Sequence, residues 1–388
     1  MPAVNIFTYK DAIDHVVDFL GANVGGEVSR TARRAVMSAY RALTMAHRWT
    51  YFYQRGRISS VAKYSTGTIS YDHTGGSNER MVTLTGGTWP TWSNYGAIKI
   101  SDIVHQVASR VSDTIITLSV NSNPGADVAA ATTYTLFRDT YVLPGDFLAL
   151  DSLVNMSNLL YPSHVHPRDW LSQQRLNASP ATPRIFTIMG DPNYFGAMAV
   201  AFFPPPDAVY QFDFIYQRRP RPLIIDEYKA GTVTASSGAT TIAGTGTTWE
   251  AKHVGSVIRL STSTSTAVTG LVGGNPFATE RTITAVGSTT SITVDSAWTE
   301  TYTGTTYSIS DPVDIEEGAM LNAFMRMAEK EAAIERNMKD KASMMTIALQ
   351  ALLEAKAADS RTFGRRVAHV GQVVRPRLSW MPAGTDSG

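Results

Sequence analysis

Four groups of residues have types and spacings that could do chemistry. His164-Val165-His166 puts two imidazoles on one side of an extended strand, with Asp169 close behind, which is the start of a zinc donor set. A third histidine is missing nearby and Pro167 follows directly, so the segment reads as a polar loop. Gly244-Thr245-Gly246-Thr247 has the texture of a phosphate-binding loop. Strands rather than a helix follow it, so the helix N-terminus that would hold the anion is absent and a hairpin turn fits better. Asp311, Asp314, Glu316 and Glu317 cluster ahead of a helical pattern. They read as helix-start residues at the positive end of a dipole, not as an acid/base pair. Arg34, Arg41 and Arg48 recur every seven residues, which places them on one helical face where guanidinium groups can hold carboxylates. GxSxG, HExxH and phosphate-loop spacings are absent and the chain has no cysteine, so no thiolate nucleophile, disulfide or cysteine metal site exists. No catalytic residue, cofactor or metal site is expected, and the chain reads as a non-enzyme.

These residues need elements to position them. Ile13, Val16, Val17 and Leu20 follow a helical period that Gly21 ends, and a second helix is predicted from about Ser29 to Trp49. From Ile58 the texture changes to short Thr/Ser/Gly/Val runs that read as antiparallel strands. The expected organisation is N-terminal helices over 1–57, a β module over 58–140, a central β-rich region over 141–228, a second β module over 229–311, a long helix over 312–360, and an extended tail over 361–388. The fold class is α+β. A helical bundle is closed by both chain ends, with a central antiparallel β domain and two inserted small barrel or sandwich modules.

The two modules read as copies. Gly67-Thr68-Ile69-Ser70 matches Gly231-Thr232-Val233-Thr234, and Leu84 to Trp89 matches Ile242 to Trp249. Gly96 to Ile100 matches Gly255 to Leu260, Asp113 to Leu118 matches Thr289 to Val294, and Thr133 to Leu136 matches Thr306 to Ile309. The order is kept throughout, which chance does not explain. Each copy has one tryptophan in the same place, a natural core plug.

Bulk properties narrow the function. Charged residues are only 17% of the chain and the net charge is +1. That suits a protein that buries surface against partners, and it argues against a free nucleic-acid binder, which needs a basic excess. The first twenty residues show no basic-then-apolar leader, and the longest apolar run, Ala197 to Phe203, is far short of a bilayer span. Neither secretion nor a membrane partner is expected.

The order of parts resembles the head-to-tail adaptor (neck or connector) proteins of tailed bacteriophages, podovirus-like in arrangement. Three features carry it. Helices end in the aromatic cluster Trp49-Thr50-Tyr51-Phe52-Tyr53. The series Tyr141 to Phe147, Pro183 to Phe186, Phe203 to Asp207 and Phe214 to Pro220 follows. The Thr/Gly module is of a kind common in phage structural proteins. The resemblance implies a structural virion protein at the head-tail interface, made in the bacterial host cytoplasm. It implies a homo-oligomeric ring, usually twelve-fold, that docks under the portal and contacts a downstream tail or nozzle protein. DNA would pass through its channel during ejection without sequence-specific binding. The double β insertion departs from the simplest adaptors, which are largely helical. A second reading is a carbohydrate- or receptor-binding virion (tail) protein that uses the repeated modules; a wall hydrolase is a third, without a catalytic set. On the adaptor reading, Arg34, Arg41, Arg48, Glu331 and Glu335 are expected at the subunit interface. Arg361, Arg365, Arg366, Val373, Val374, Arg375, Arg377 and Trp380 are expected to bind the portal through the tail.

Overall fold

Helix α1 (Tyr9–Leu20) begins at Thr8. The Asp11 carboxylate accepts from Thr8 N (2.9 Å), and Asp11 N donates back to Thr8 Oγ1 (3.4 Å), so two of the helix's orphan donors are satisfied locally. Gly21, at φ 60°, ends it in the left-handed region. Helix α2 (Gly26–Met45) buries Val28, Ala32, Ala35, Val36, Ala39 and Leu43; the small residues let a neighbour approach closely. It ends earlier than the expected Trp49. The buried Trp49 folds back and its Nε1 donates to Leu43 O (2.9 Å), occupying one of the terminal carbonyls and turning the chain.

The computed structural model describes residues 6–21, 26–73, 79–173, 179–191, 193–261 and 277–370. The chain divides into two units, Phe52–Arg219 and Met1–Tyr51 with Pro220–Gly388.

The unit over 52–219 is mainly β. Its strands are β1 (Tyr53–Ser59), β2 (Thr68–Asp72), β3 (Met81–Thr85), β4 (Ala97–Ile100), β5 (Ile103–Arg110), β6 (Ile115–Leu118), β7 (Val128–Thr132) and β8 (Tyr134–Phe137). Then come β9 (Thr140–Val142), β10 (Phe147–Asn155), β11 (Ser163–His164), the short helix α3 (Pro167–Gln173), β12 (Ile185–Gly190), β13 (Met198–Phe203) and β14 (Gln211–Arg218). Seven strands pair in the order β7-β2-β3-β6-β5-β4-β8 around a core of Ile69, Tyr71, Leu84, Trp89, Ile98 and Leu136. The remainder forms sheets β1-β14-β10 and β11-β12-β13-β9. These share a core of Tyr141, Phe147, Phe186, Phe202, Phe212, Phe214 and Tyr216, with the Phe202 and Phe212 rings stacked at 4.1 Å. Gly56 is required here, because a Cβ would collide with the Phe214 ring.

The other unit joins both chain ends. It holds β15 (Thr232–Ala235), β16 (Thr241–Thr245), β17 (Val257–Ser261), β18 (Phe277–Ser288), β19 (Ser291–Val294), β20 (Tyr302–Thr305), β21 (Tyr307–Ser310), α4 (Ala319–Glu335) and α5 (Lys341–Val370). Its seven strands pair as β20-β15-β16-β19-β18-β17-β21. This is the same order as the first sheet when β15 to β21 are laid on β2 to β8. The likeness reaches single hydrogen bonds. Tyr64 OH accepts from Thr88 N (3.1 Å) and Tyr228 OH from Thr248 N (2.7 Å). Tyr134 OH donates to Thr66 O (2.7 Å) and Tyr307 OH to Ala230 O (2.6 Å). Gly67 and Gly231 sit at φ 80° and 82°, each against a carbonyl that excludes a side chain.

Helices from both chain ends pack together in this unit. Tyr40 of α2 meets Phe324 of α4 edge-on at 6.1 Å, and Ala348, Ala351 and Ala355 of α5 are buried. Three expectations change. The single helix over 312–360 is two: Asn337 at φ 50° follows α4, and α5 starts at Lys341. Glu316 and Glu317 precede α4, which begins at Ala319 after Gly318, so they are not in its first turn. The segment from Arg361 was expected to be extended, yet α5 continues through Val370. Arginine and alanine are good helix formers, and Gly364 weakens a helix by only about 1 kcal/mol.

Candidate interaction surfaces

The arginines expected as one stripe separate. Arg34 Nη2 pairs with Glu335 of α4 within the same chain, and Thr31 adds a hydroxyl to the same carboxylate (3.5 Å). Arg33 pairs with Asp226. Arg41 is exposed on α2, and Arg48 is exposed three residues past the helix end, so it is not on the helical face at all. Neither has an ion pair among the described residues. Glu331, also expected at an interface, pairs with Lys330, and Glu329 on the same helix is buried beside His15 (2.8 Å) and Arg326 (2.9 Å). Burial pushes the Glu329 carboxyl up, but hydrogen bonds from His15 and Arg326 outweigh that and hold it below the usual range. The acids of α4 are therefore used inside the bundle.

Two buried charge clusters were not legible in the sequence. Arg259, on β17, sends Nη1 and Nη2 to Asp11 of α1 (2.8 and 2.7 Å) and Nε to Glu280 of β18 (3.1 Å). All three side chains are at most 7% exposed. The second is Asp311, 1% exposed, which accepts from Ile224 N (2.7 Å), Ile225 N (2.7 Å), Ser256 Oγ (2.7 Å) and Arg221 Nη2 (3.1 Å). It ties the second sheet to the strand of chain before it and does not start a helix. These contacts join sheet, α1 and the 220–225 connection through charges that cannot be left unpaired. A partial signal existed for Arg259: a lone arginine in the strand VIRLS, on the face opposite the core residues Ile258 and Leu260.

In the unit over 52–219, Asp213 of β14 receives Arg55 and Arg57 of β1. The Arg57 and Arg55 hydrogen bonds hold its carboxyl well below the usual carboxylate range. His164 and His166 do not converge. The His164 ring lies against Phe186 at 5.3 Å, and His166 Nδ1 accepts from Arg168 N (3.2 Å). Among the described residues no group of three possible metal ligands occurs, and no helix is long and apolar enough to cross a membrane.

Near the C-terminus, Arg361 is exposed on α5. Arg365 and Arg366 belong to the same helix. Val373, Val374, Arg375, Arg377 and Trp380 lie outside the described residues. Two hydrogen bonds hold the middle of α5 to the end of α2. The buried Asp359 pairs with His47 Nε2 (2.9 Å) and accepts from Thr50 N (2.9 Å).

Against protein families, residues 100–237 match the model of the SU10 adaptor protein. The match covers roughly a third of the chain and runs from the end of β4 through β15. It includes all of the β10 to β14 region. No curated protein and no solved structure matches the chain. The similarity is to a phage adaptor-type protein.

Proposed function

We propose that this chain is a head-to-tail adaptor of a tailed bacteriophage, a structural protein of the virion neck that docks beneath the portal and extends the DNA channel. The observation that carries the reading is the match of residues 100–237 to the SU10 adaptor protein. The independent order of motifs from the aromatic cluster at Trp49 to Arg219-Pro220 supports it. So does the gathering of both chain ends into one unit, where their helices pack together.

In this reading the subunits close into a ring, twelve-fold by resemblance, with a tail or nozzle protein below. Ring contacts are heterologous, so each subunit presents two unlike faces. Arg41 and Arg48 stand free for such contacts, whereas Arg34 and Glu335 already face each other inside one chain. The C-terminal segment that begins with Arg361, Arg365 and Arg366 and runs on to Trp380 docks on the portal. Both β modules project from the ring. The protein would be made in the host cytoplasm and end in the virion neck.

Electron microscopy and mass measurement of the protein mixed with its portal test the reading. A ring of copies stacked on the portal is the expected result. A single copy per portal ring, or no association, overturns it.

A further inference from the structure

We infer that Phe195 of one copy seats in the methionine-lined groove between α4 and α5 of the next copy, and that this contact repeats around the assembly. The inference rests on the ring reading above and adds to it the two unlike faces that such a contact needs.

The groove is built from the two C-terminal helices. Met327 and Lys330 of α4 and Met345, Leu349 and Leu352 of α5 line an opening of about 360 Å³. Met327 is buried, whereas Met345 and Leu349 are 53% and 57% exposed. Leu353, equally exposed, continues the same face of α5 at the next four-residue step. From Ala342 to Leu353 the helix carries no charged residue. About three turns without charge, with large apolar side chains exposed along them, make a face suited to an apolar partner.

The occupant is on the same chain. A hairpin joins β12 to β13, and its tip runs from Asn193 to Gly196. Asp191 Oδ1 accepts from Asn193 N (2.7 Å) and Tyr194 N (3.1 Å), and Asp191 N donates to Ala197 O (2.9 Å). Tyr194 is braced against Tyr95, hydroxyl to hydroxyl at 2.7 Å. Phe195 beside it is fully exposed, the one exposed phenylalanine among the described residues. An aromatic side chain held out on a fixed backbone loses little freedom on binding and has its whole apolar surface still to bury. Because it is fully exposed, Phe195 does not fill the groove of its own chain. The pairing therefore joins two copies, each giving one hairpin tip and receiving another.

Two features match tip to groove. Methionine is unbranched, adapts to the shape set against it, and makes favourable sulfur contacts with aromatic edges. The groove has two methionines for one phenyl group. Charge also fits. Lys330 is the one charged residue lining the groove, where it holds Glu331 of its own helix (2.6 Å). Asp191, at the base of the hairpin, is an acid without an ion pair among the described residues, and it can join Lys330 as the tip enters.

The experiment assembles the full chain on its portal and reads the copy number by mass measurement. F195S and L349E are compared with L171S, a change of the same kind at an exposed site on α3. Circular dichroism checks that each variant is folded. The expected result is a full ring for the unchanged chain and for L171S, and at least tenfold more protein needed for half-assembly in F195S and L349E. The chain has no cysteine, so the contact can also be trapped. Chains carrying N193C are mixed with chains carrying T346C, which leaves Phe195 and Leu349 in place, and a short bismaleimide is added to the assembly. A one-to-one covalent dimer that forms only in the mixture is expected. If F195S and L349E assemble like the unchanged chain, or if rings form and the mixture gives no dimer, the inference is wrong and the ring reading stands. If F195S assembles normally but no longer binds the tail or nozzle protein, Phe195 serves that partner and the inference falls. If the unchanged chain places a single copy on the portal, or none, the ring reading fails and takes the inference with it.

Discussion

Lys99 and Arg259 occupy the same place in the two seven-stranded sheets. Lys99 on β4 is opposite Thr135, and Arg259 on β17 is opposite Ser308, each one residue from the tyrosine, Tyr134 or Tyr307, that packs on the module's tryptophan. The two cations do different things. Lys99, itself only 14% exposed, pairs with Asp102 of the following turn (2.9 Å), whose side chain is 77% exposed. Arg259 is buried between Asp11 and Glu280. In one copy the cation is held by an exposed acid of its own turn, and in the other the strand is a seat for α1.

The cores changed differently. Tyr71 on β2 faces Val128 on β7, whereas Ala235 on β15 faces Tyr302 on β20. A large and a small residue have exchanged strands, so the space stays filled to ordinary density. A module of this kind keeps its strand order, its tryptophan and its tyrosine hydrogen bonds, and it is free to alter one outward strand position. That freedom is how a repeated sheet acquires a neighbour.

The largest effect expected is at the tryptophans. Trp89→Ala and Trp249→Ala should each cost about 3–5 kcal/mol in denaturant unfolding, the usual range for emptying so large a buried site. The two values should agree within about 1 kcal/mol if the cores are equivalent. A wide disagreement breaks the comparison. Next, Arg259→Met should cost about 3 kcal/mol or more, because Asp11 and Glu280 are then buried without a cation. Lys99→Met should change stability by no more than about 0.5 kcal/mol. Equal losses would mean that the difference between the two strands is only apparent. The smallest effect is alkaline. Burial pushes the Tyr134 and Tyr307 hydroxyls well above 10. For a group whose folded value is raised, the stabilisation is complete below the unfolded value of about 10 and is lost as pH rises beyond it. Phenolate absorbance should show neither ring ionising in the folded protein at pH 10–11. Tyr134→Phe and Tyr307→Phe should both leave the titration in that range unchanged.

The repeat was legible because two of its constraints are strict in residue type: a glycine at positive φ, Gly86 or Gly246, and a tryptophan three residues after it. Tyr64 and Tyr228 were missed because they stand before the first strand of each copy, outside the aligned runs. The exchange of Tyr71 for Tyr302 was hidden because it moves the ring to a strand distant in sequence. Element boundaries failed where one side chain decided them. Trp49 bonding back to Leu43 O put Arg48 off the helix, and Asn337 at positive φ broke what periodicity joined. The charge clusters at Arg259 and Asp311 could not be read, since their partners lie far away in the chain and spacing says nothing about such pairs.

The division of the chain has a consequence for synthesis. Residues 52–219 are continuous and can complete their sheets as they leave the ribosome. Helices α1 and α2 emerge before them, yet their packing partners α4 and α5 are translated last. At about 5–20 residues per second, α2 waits on the order of tens of seconds with Val28, Val36 and Leu43 uncovered, and Asp11 waits for Arg259. The first part made is therefore among the last to become native, and a ribosome that stalls before α4 releases a chain with a finished middle and open ends.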